Sequence, residues 1–277
     1  MASVSRRHVL QGMVGVSVGA ASGAMAHGYL WERHALQVVK TELPVTGLPA
    51  GMDGLRVGFV TDLHLSETVP ADDISRALAL VAGEAPDVLI FGGDYVSYVD
   101  LRYAEPVAEL LKGASAPLGV FAILGNHDDD RVVPAALARR GINVLKDERT
   151  TITRGGASLE MAGIRFWTKK QDDIARVVAG ARGPVLLLAH DPRRVTEAAI
   201  LGIPAVISGH THGGQIVLPG LGAIAARKFP IAAGRLTMDG TELFVSRGVG
   251  TVLIPVRINC PPEVAILTLR ARTTGAM

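Results

Sequence analysis

Residues 205–215 read AVISGHTHGGQ: an apolar run stops at Ser208-Gly209, and two imidazoles, His210 and His212, follow one residue apart. Imidazole is the commonest side-chain metal ligand and the usual acid or base near neutral pH. The chain has 8 histidines in 277 residues. His8, His27 and His34 lie near the N-terminus; His64, His127, His190, His210 and His212 each come close behind a strand-like run. Lined up, the run ends give Asp62-x-His64, Gly93-Asp94, Gly125-Asn126-His127-Asp128, His190 and Gly209-His210-Thr211-His212. Two carboxylates, an amide oxygen and several imidazoles without thiolates suit Mn, Fe or Zn rather than a soft metal. Ligands at i and i+2 just past a strand can face one way, because side chains alternate with period two. By that spacing Asp62 and His64 can grip one ion, and His210 and His212 can spread to two. The glycines before Asp94, Asn126 and His210 let main chains crowd together.

Taken singly, most of these signals have plainer explanations. Asp62-x-His64 and Gly93-Asp94 are common at turns, and Asn126-His127-Asp128 fits an Asx-turn. Asp191-Pro192 after His190 looks like a helix start, with Asp191 as the cap. Unrelated turns would not together supply every ligand that a two-metal site requires.

The elements that must position these residues alternate in type. Strands are expected at 55–60, 88–91, 120–124, 158–166, 185–189 and 203–207, and helices at 71–82, 105–112, 134–140, 172–179 and 193–201. Asp239-Gly240 between two apolar runs is a type I′ hairpin signal, and 263–269 alternates as a final strand. Alternating strands and helices imply an α/β domain, in which polar site residues collect beyond the carboxyl ends of the strands. The Pro- and Gly-containing stretch within 27–54 reads as a linker, with one domain over 55–272.

Composition narrows the function classes. The formal charge of +2 comes from Arg6 and Arg7, since residues 1–26 contain no Asp or Glu. A near-neutral remainder argues against nucleic-acid binding, which needs a clustered basic surface. The single Cys260 excludes an intramolecular disulfide and a cysteine-based zinc cluster, and it reads as a small buried residue. Arg6-Arg7, an uncharged Gly- and Ala-rich run and Ala24-Met25-Ala26 resemble a twin-arginine signal peptide over 1–26, cleaved or kept as an anchor. Export by the twin-arginine translocase to the periplasm or the outer face of the cytoplasmic membrane is the corresponding expectation.

The ordered motifs D-x-H, G-D, G-N-H-D, H and G-H-x-H resemble the calcineurin-like metallophosphoesterase family. GHTHGGQ, with VSRGVG and PVRINCPPE later in the chain, resembles its YkuE-like branch. The resemblance implies an αββα fold, a two-sheet β-sandwich flanked by helices. It implies one ion held by Asp62, His64, Asp94 and His212, and a second by Asp94, Asn126, His190 and His210. His127 would be the acid facing the scissile phosphate, as an imidazolium, with Asp128 orienting it. The implied activity is hydrolysis of a phosphodiester or pyrophosphate by a hydroxide shared between two divalent ions; a phosphomonoesterase and a metal-binding interaction module are the alternatives. Some relatives act on UDP-diacylglucosamine, so the substrate is expected to be a small or lipid-linked phosphate. The apolar run 216–231 is then either a packed loop or a lip making peripheral membrane contact, and Arg247 and Arg257 are either phosphate binders or salt-bridge partners.

Overall fold

The structure, a computed structural model, describes residues 6–272. Its helices are α1 (Arg6–Leu30), α2 (Ala71–Gly83), α3 (Ala104–Leu111), α4 (Val132–Ala138), α5 (Gln171–Val178) and α6 (Val195–Ile200). Its strands are β1 (Gln37–Thr46), β2 (Arg56–Val60), β3 (Val88–Phe91), β4 (Val120–Ala122), β5 (Asn143–Val144), β6 (Glu148–Arg154) and β7 (Ala157–Ile164). The remainder are β8 (Val185–Ala189), β9 (Ala205–Ser208), β10 (Val217–Leu218), β11 (Gly222–Ala223), β12 (Gly234–Met238), β13 (Thr241–Val245) and β14 (Glu263–Arg272).

Two six-stranded sheets result, ordered β1-β14-β2-β3-β4-β5 and β12-β13-β9-β8-β7-β6. Period-two alternation assigns their faces. In β8, Leu186 and Leu188 enter the core between the sheets, while Val185, Leu187 and Ala189 face α5 and α6. In β14, Ala265, Leu267 and Leu269 point into that shared core, and Val264 and Ile266 pack toward α2, α3 and α4. Three apolar clusters therefore separate four layers, and each buried Leu, Ile or Val contributes about 1.5–3 kcal/mol. This is the α/β two-sheet sandwich flanked by helices. Four of the six phenylalanines, Phe59, Phe91, Phe121 and Phe244, fill the core.

The predicted hairpin forms between β12 and β13, with Asp239 and Gly240 both left-handed (φ 46° and 83°). One boundary needs correction. Residues 37–46, taken as linker, form β1, which pairs in parallel with all of β14 from Gln37↔Glu263 to Thr46↔Arg272. Leu43 and Val45 are fully buried in the inter-sheet core. Pro44 suggested a linker, yet an edge strand tolerates proline where no ladder N–H is required.

Helix α1 covers most of the expected signal segment, whose first five residues lie outside the described residues. Among the described residues no helix is long and apolar enough to cross a membrane. The end of α1 is fixed to the domain: Gly28 O accepts from Arg257 N (3.3 Å), and Glu32 Oε1 accepts from Cys260 N (2.6 Å).

Candidate metal centre

Parallel strands β2, β3 and β4 of one sheet and β8 and β9 of the other end at the same edge of the sandwich. Their carboxyl-end loops bring the predicted residues into two groups. Donor atoms of Asp62, His64, Asp94 and His212 lie within 4.8 Å of one another, as do those of Asp94, His190 and His210. Asp94 belongs to both. His64 Nε2 and His190 Nε2 stand 3.4 and 3.2 Å from Asp94 Oδ2, and His212 Nε2 stands 3.4 Å from Asp62 Oδ1. His64 Nε2 and His212 Nε2 are 3.1 Å apart.

The side chains fit divalent cations. Asn126 Oδ1 and His190 Nε2 are buried without a hydrogen-bond partner, and an orphaned buried polar atom costs roughly 1–3 kcal/mol. His190 Nδ1 donates to Gly92 O (2.7 Å), which leaves Nε2 as the ring atom that can ligate once its proton is displaced. Oxygen and imidazole nitrogen donors converge here without thiolates, a set suited to Mn, Fe or Zn.

The main chain reaches this arrangement by an unexpected route. Asp62, His64, Asp94, His210 and His212 all have positive φ, between 50° and 72°. The extended i, i+2 alternation inferred for Asp62 and His64 is therefore wrong, because the loops have already left strand geometry. Such conformations cost about 1–3 kcal/mol each and persist where surrounding structure enforces them. Here the enforcement is a continued ladder: Asp62 N donates to Gly93 O (2.9 Å) and His64 N to Asp94 O (3.0 Å). Thr61 Oγ1 (2.8 Å) and His210 N (3.1 Å) donate to the Asp62 carboxylate. The glycines serve as expected: a Cβ on Gly125 would overlap Asp94 Oδ1, and one on Gly209 would overlap Asp62 Oδ2.

Electrostatics separate the ligands. Burial, reinforced by Asp94 and opposed by His190, pushes the Asp62 carboxyl up to about 6. Burial also opposes ionisation of Asp94, but His190, His64 and His127 around it hold it below the ordinary carboxylate range. Burial lowers His64 to about 4; burial and His190 lower His210 to about 3; burial and His64 hold His212 well below the usual imidazole value. These three rings are kept neutral, as ligation requires. His190 is the exception: burial is outweighed by Asp94 and Asp62, which raise it to about 10.

Several expected roles change. Asp128 does not orient His127. Its buried carboxylate accepts from the main-chain N–H groups of Asp94 (2.7 Å), Tyr95 (2.8 Å) and Gly125 (2.9 Å), tying the loop after β3 to the loop after β4. His127 is instead held by Tyr98, whose N–H donates to Nδ1 (2.8 Å). With Nδ1 accepting from Tyr98, Nε2 is the ring atom left to face outward as a donor. Arg257 binds no phosphate: it is fully buried and donates only to main-chain carbonyls and Cys260. Arg247 lies beside Glu263 (3.6 Å), the salt-bridge alternative. Asp191 caps as expected, accepting from Arg193 N. Sequence inspection missed Thr61, Tyr98 and Gln215. The signal for Gln215 was its place in GHTHGGQ; its side-chain amide accepts from Val252 N (2.6 Å) and donates to Ile254 O (2.9 Å).

An apolar cleft of about 440 Å³ opens directly from the centre. His210 and His212 form one end, and Ile216, Leu218, Ile224 and Phe229 form the walls. The two phenylalanines outside the three apolar clusters, Phe166 and Phe229, both pack on His210, with ring centroids 5.3 and 5.2 Å away. The rim carries Ile224, Leu253 and Ile254 exposed, and Leu253 is 83% exposed.

The calcineurin-like phosphoesterase family model matches residues 55–214. The chain is 27% identical to the metallophosphoesterase YkuE of Bacillus subtilis, over 98% of this chain and 99% of that protein. It is 30% identical to the phosphodiesterase YaeI of Escherichia coli, over 77% and 82%. It is also 30% identical to the UDP-2,3-diacylglucosamine pyrophosphatase LpxG of Chlamydia muridarum, over 91% and 96%. Among solved structures, the NAD nucleotidase NadN of Haemophilus influenzae aligns with a TM-score of 0.53 at 14% identity. That alignment covers 70% of this chain and 45% of the nucleotidase, and it shows a common fold.

Proposed function

The chain belongs to the calcineurin-like phosphoesterase family, and from that premise we propose that it hydrolyses a phosphodiester or pyrophosphate bond using two divalent ions. Asp62, His64, Asp94 and His212 hold one ion, and Asp94, Asn126, His190 and His210 hold the other. The observation that carries this is the sharing of Asp94 between two buried ligand groups. When bound, such a pair neutralises phosphate charge and lowers the pKa of water toward ~7. The chain's own residues do the rest. Asp94 stays ionised between its imidazoles, and Asp128 keeps the two loops beside it in register. His127, half-buried next to His64 (ring centroids 4.9 Å apart), offers Nε2–H to a phosphate oxygen. That Nε2–H steadies developing charge on the phosphate by hydrogen bonding.

The apolar cleft favours a substrate whose phosphate carries an apolar group, such as an acylated sugar nucleotide of the kind named for LpxG. The exposed apolar rim, with Arg227 and Lys228 beside it, supports peripheral contact with a membrane. Arg6-Arg7 at the head of α1 support export by the twin-arginine translocase to the outer face of the cytoplasmic membrane.

The test uses the full chain stripped with chelator and assayed on bis-p-nitrophenyl phosphate and p-nitrophenyl phosphate as Mn²⁺ is restored. Diester turnover should return in step with two bound ions per chain. A monoester rate that exceeds the diester rate would move the function to phosphomonoesterase. Full turnover by the stripped protein would overturn the metal mechanism.

A further inference from the structure

Arg257 is the largest fully buried side chain in the described residues. No carboxylate oxygen stands within salt-bridge distance of it among those residues. An unpaired buried charge is expensive, so its surroundings must compensate. Main-chain carbonyls do so. Nη1 donates to Cys260 O (3.1 Å) and reaches His212 O (3.4 Å). Nη2 donates to Gly250 O (2.7 Å), Arg247 O (2.9 Å) and Gly248 O (3.2 Å).

These carbonyls belong to segments that build one ligand group. The segment 247–250 lies directly behind Asp62 and His64: Val249 N donates to Thr61 O (3.0 Å), and Gly250 N to Asp62 O (2.7 Å). The fit leaves no room for side chains, since a Cβ on Gly248 would stand 2.6 Å from Asp62 Cβ and one on Gly250 3.0 Å from His64 Cβ. On the other side, Cys260 Sγ reaches the same His212 carbonyl (3.3 Å). One guanidinium thus gathers the main chain of His212 and the backing of Asp62 and His64. It makes no hydrogen bond to the main chain of Asn126, His190 or His210.

We propose that Arg257 is a positioning residue for one of the two metal positions only, the one formed by Asp62, His64, Asp94 and His212. Resting on the two-ion function above, the assignment follows from the asymmetry of its contacts. Left-handed ligands need external enforcement, and Arg257 supplies it for Asp62, His64 and His212. The position containing His190 and Asn126 is assembled without it.

The experiment measures Mn²⁺ stoichiometry and affinity by equilibrium dialysis, and Mn²⁺–Mn²⁺ coupling by electron paramagnetic resonance. It compares full-length wild type, Arg257→Met and Arg257→Lys, with folding checked by circular dichroism. Wild type should hold two coupled ions. Arg257→Met should hold one, with an uncoupled mononuclear spectrum. Arg257→Lys, which keeps charge and some donors, should bind the affected ion roughly 10–100-fold more weakly, the scale for removing support behind a ligand. Two ions with unchanged affinity in Arg257→Met would overturn the assignment. So would equal weakening of both ions, or failure of both variants to fold, since either makes the residue a general support. Fewer than two ions in wild type would instead refute the two-ion function itself.

Discussion

The two ligand groups share Asp94 and differ in what surrounds it. Asp62, His64 and His212 are buried, left-handed and backed by main chain. His210 is half-buried, packed by Phe166 and Phe229, and stands at the end of the open cleft. One position is braced by backbone and largely closed, with only the edge of His212 reaching the cleft; the other is finished by side chains and opens to the cleft through half-buried His210. The difference teaches that a pair of ions need not be an equivalent pair: the closed position should retain its ion, and the cleft position should exchange it and meet the phosphate.

The comparison breaks most completely at the shared residue. Asp94→Ala should abolish the coupled ion pair and reduce diester turnover about 10³-fold or more; an unchanged two-ion stoichiometry would show that Asp94 bridges nothing. His127→Ala separates binding from rate. It should keep both ions and lose about 10²–10³-fold in kcat, the scale for one donor to developing charge, and a loss of metal instead would make it a ligand.

Proton release sharpens the contrast between the groups. Metal must displace any proton on its ligands. His190, raised to about 10, is protonated at pH 8 and should release about one proton per chain when metal binds there. Asp62, raised to about 6, is ionised at pH 8 and largely protonated at pH 5, so uptake at pH 5 should release about one more. Affinity at the closed position should accordingly fall as pH drops through about 6. Calorimetry in buffers of different ionisation enthalpy counts these protons, and equal release at both pH values would contradict the assignment.

The smallest effect belongs to the cleft. Leu253→Ser should leave metal content and turnover of bis-p-nitrophenyl phosphate within about twofold, because a surface substitution away from the ions disturbs little. The same variant should raise KM several-fold for a diester bearing an acyl chain; equal KM values would remove the rim from substrate binding.

Much of this was visible in sequence for a physical reason. Ligands at strand ends leave a signature of apolar run then polar donor, with a glycine between them at Asp94 and His210, so Asp62, Asp94, His190 and His210 announce themselves. The α/β alternation is local and equally legible. Long-range pairings are not: β1 meets β14 more than two hundred residues later, and nothing near Pro44 records that partner. Nor does the identity of Asp128 reveal that its carboxylate serves three main-chain N–H groups instead of the adjacent imidazole. The burial of Arg257 was hidden for a similar reason, since arginine is normally exposed and its acceptors here are carbonyls, which every residue possesses.

The place of β14 between β1 and β2 has a consequence for how the molecule is made. Synthesis proceeds from the N-terminus, and domains generally fold as units as they emerge. Here the sheet that carries Asp62, Asp94 and Asn126 stays split, with β1 unpaired, until residues 263–272 arrive. The root of α1 likewise waits for its seat, because Gly28 and Glu32 dock on Arg257 and Cys260. Arg33 and His34, just past the helix, meet Thr68 and Asp73 early, but the contacts of Gly28 and Glu32 form only in a molecule translated past residue 260. An interrupted product lacks those two later contacts, so the seating of Gly28 and Glu32 distinguishes chains that have reached Cys260 from those that have not.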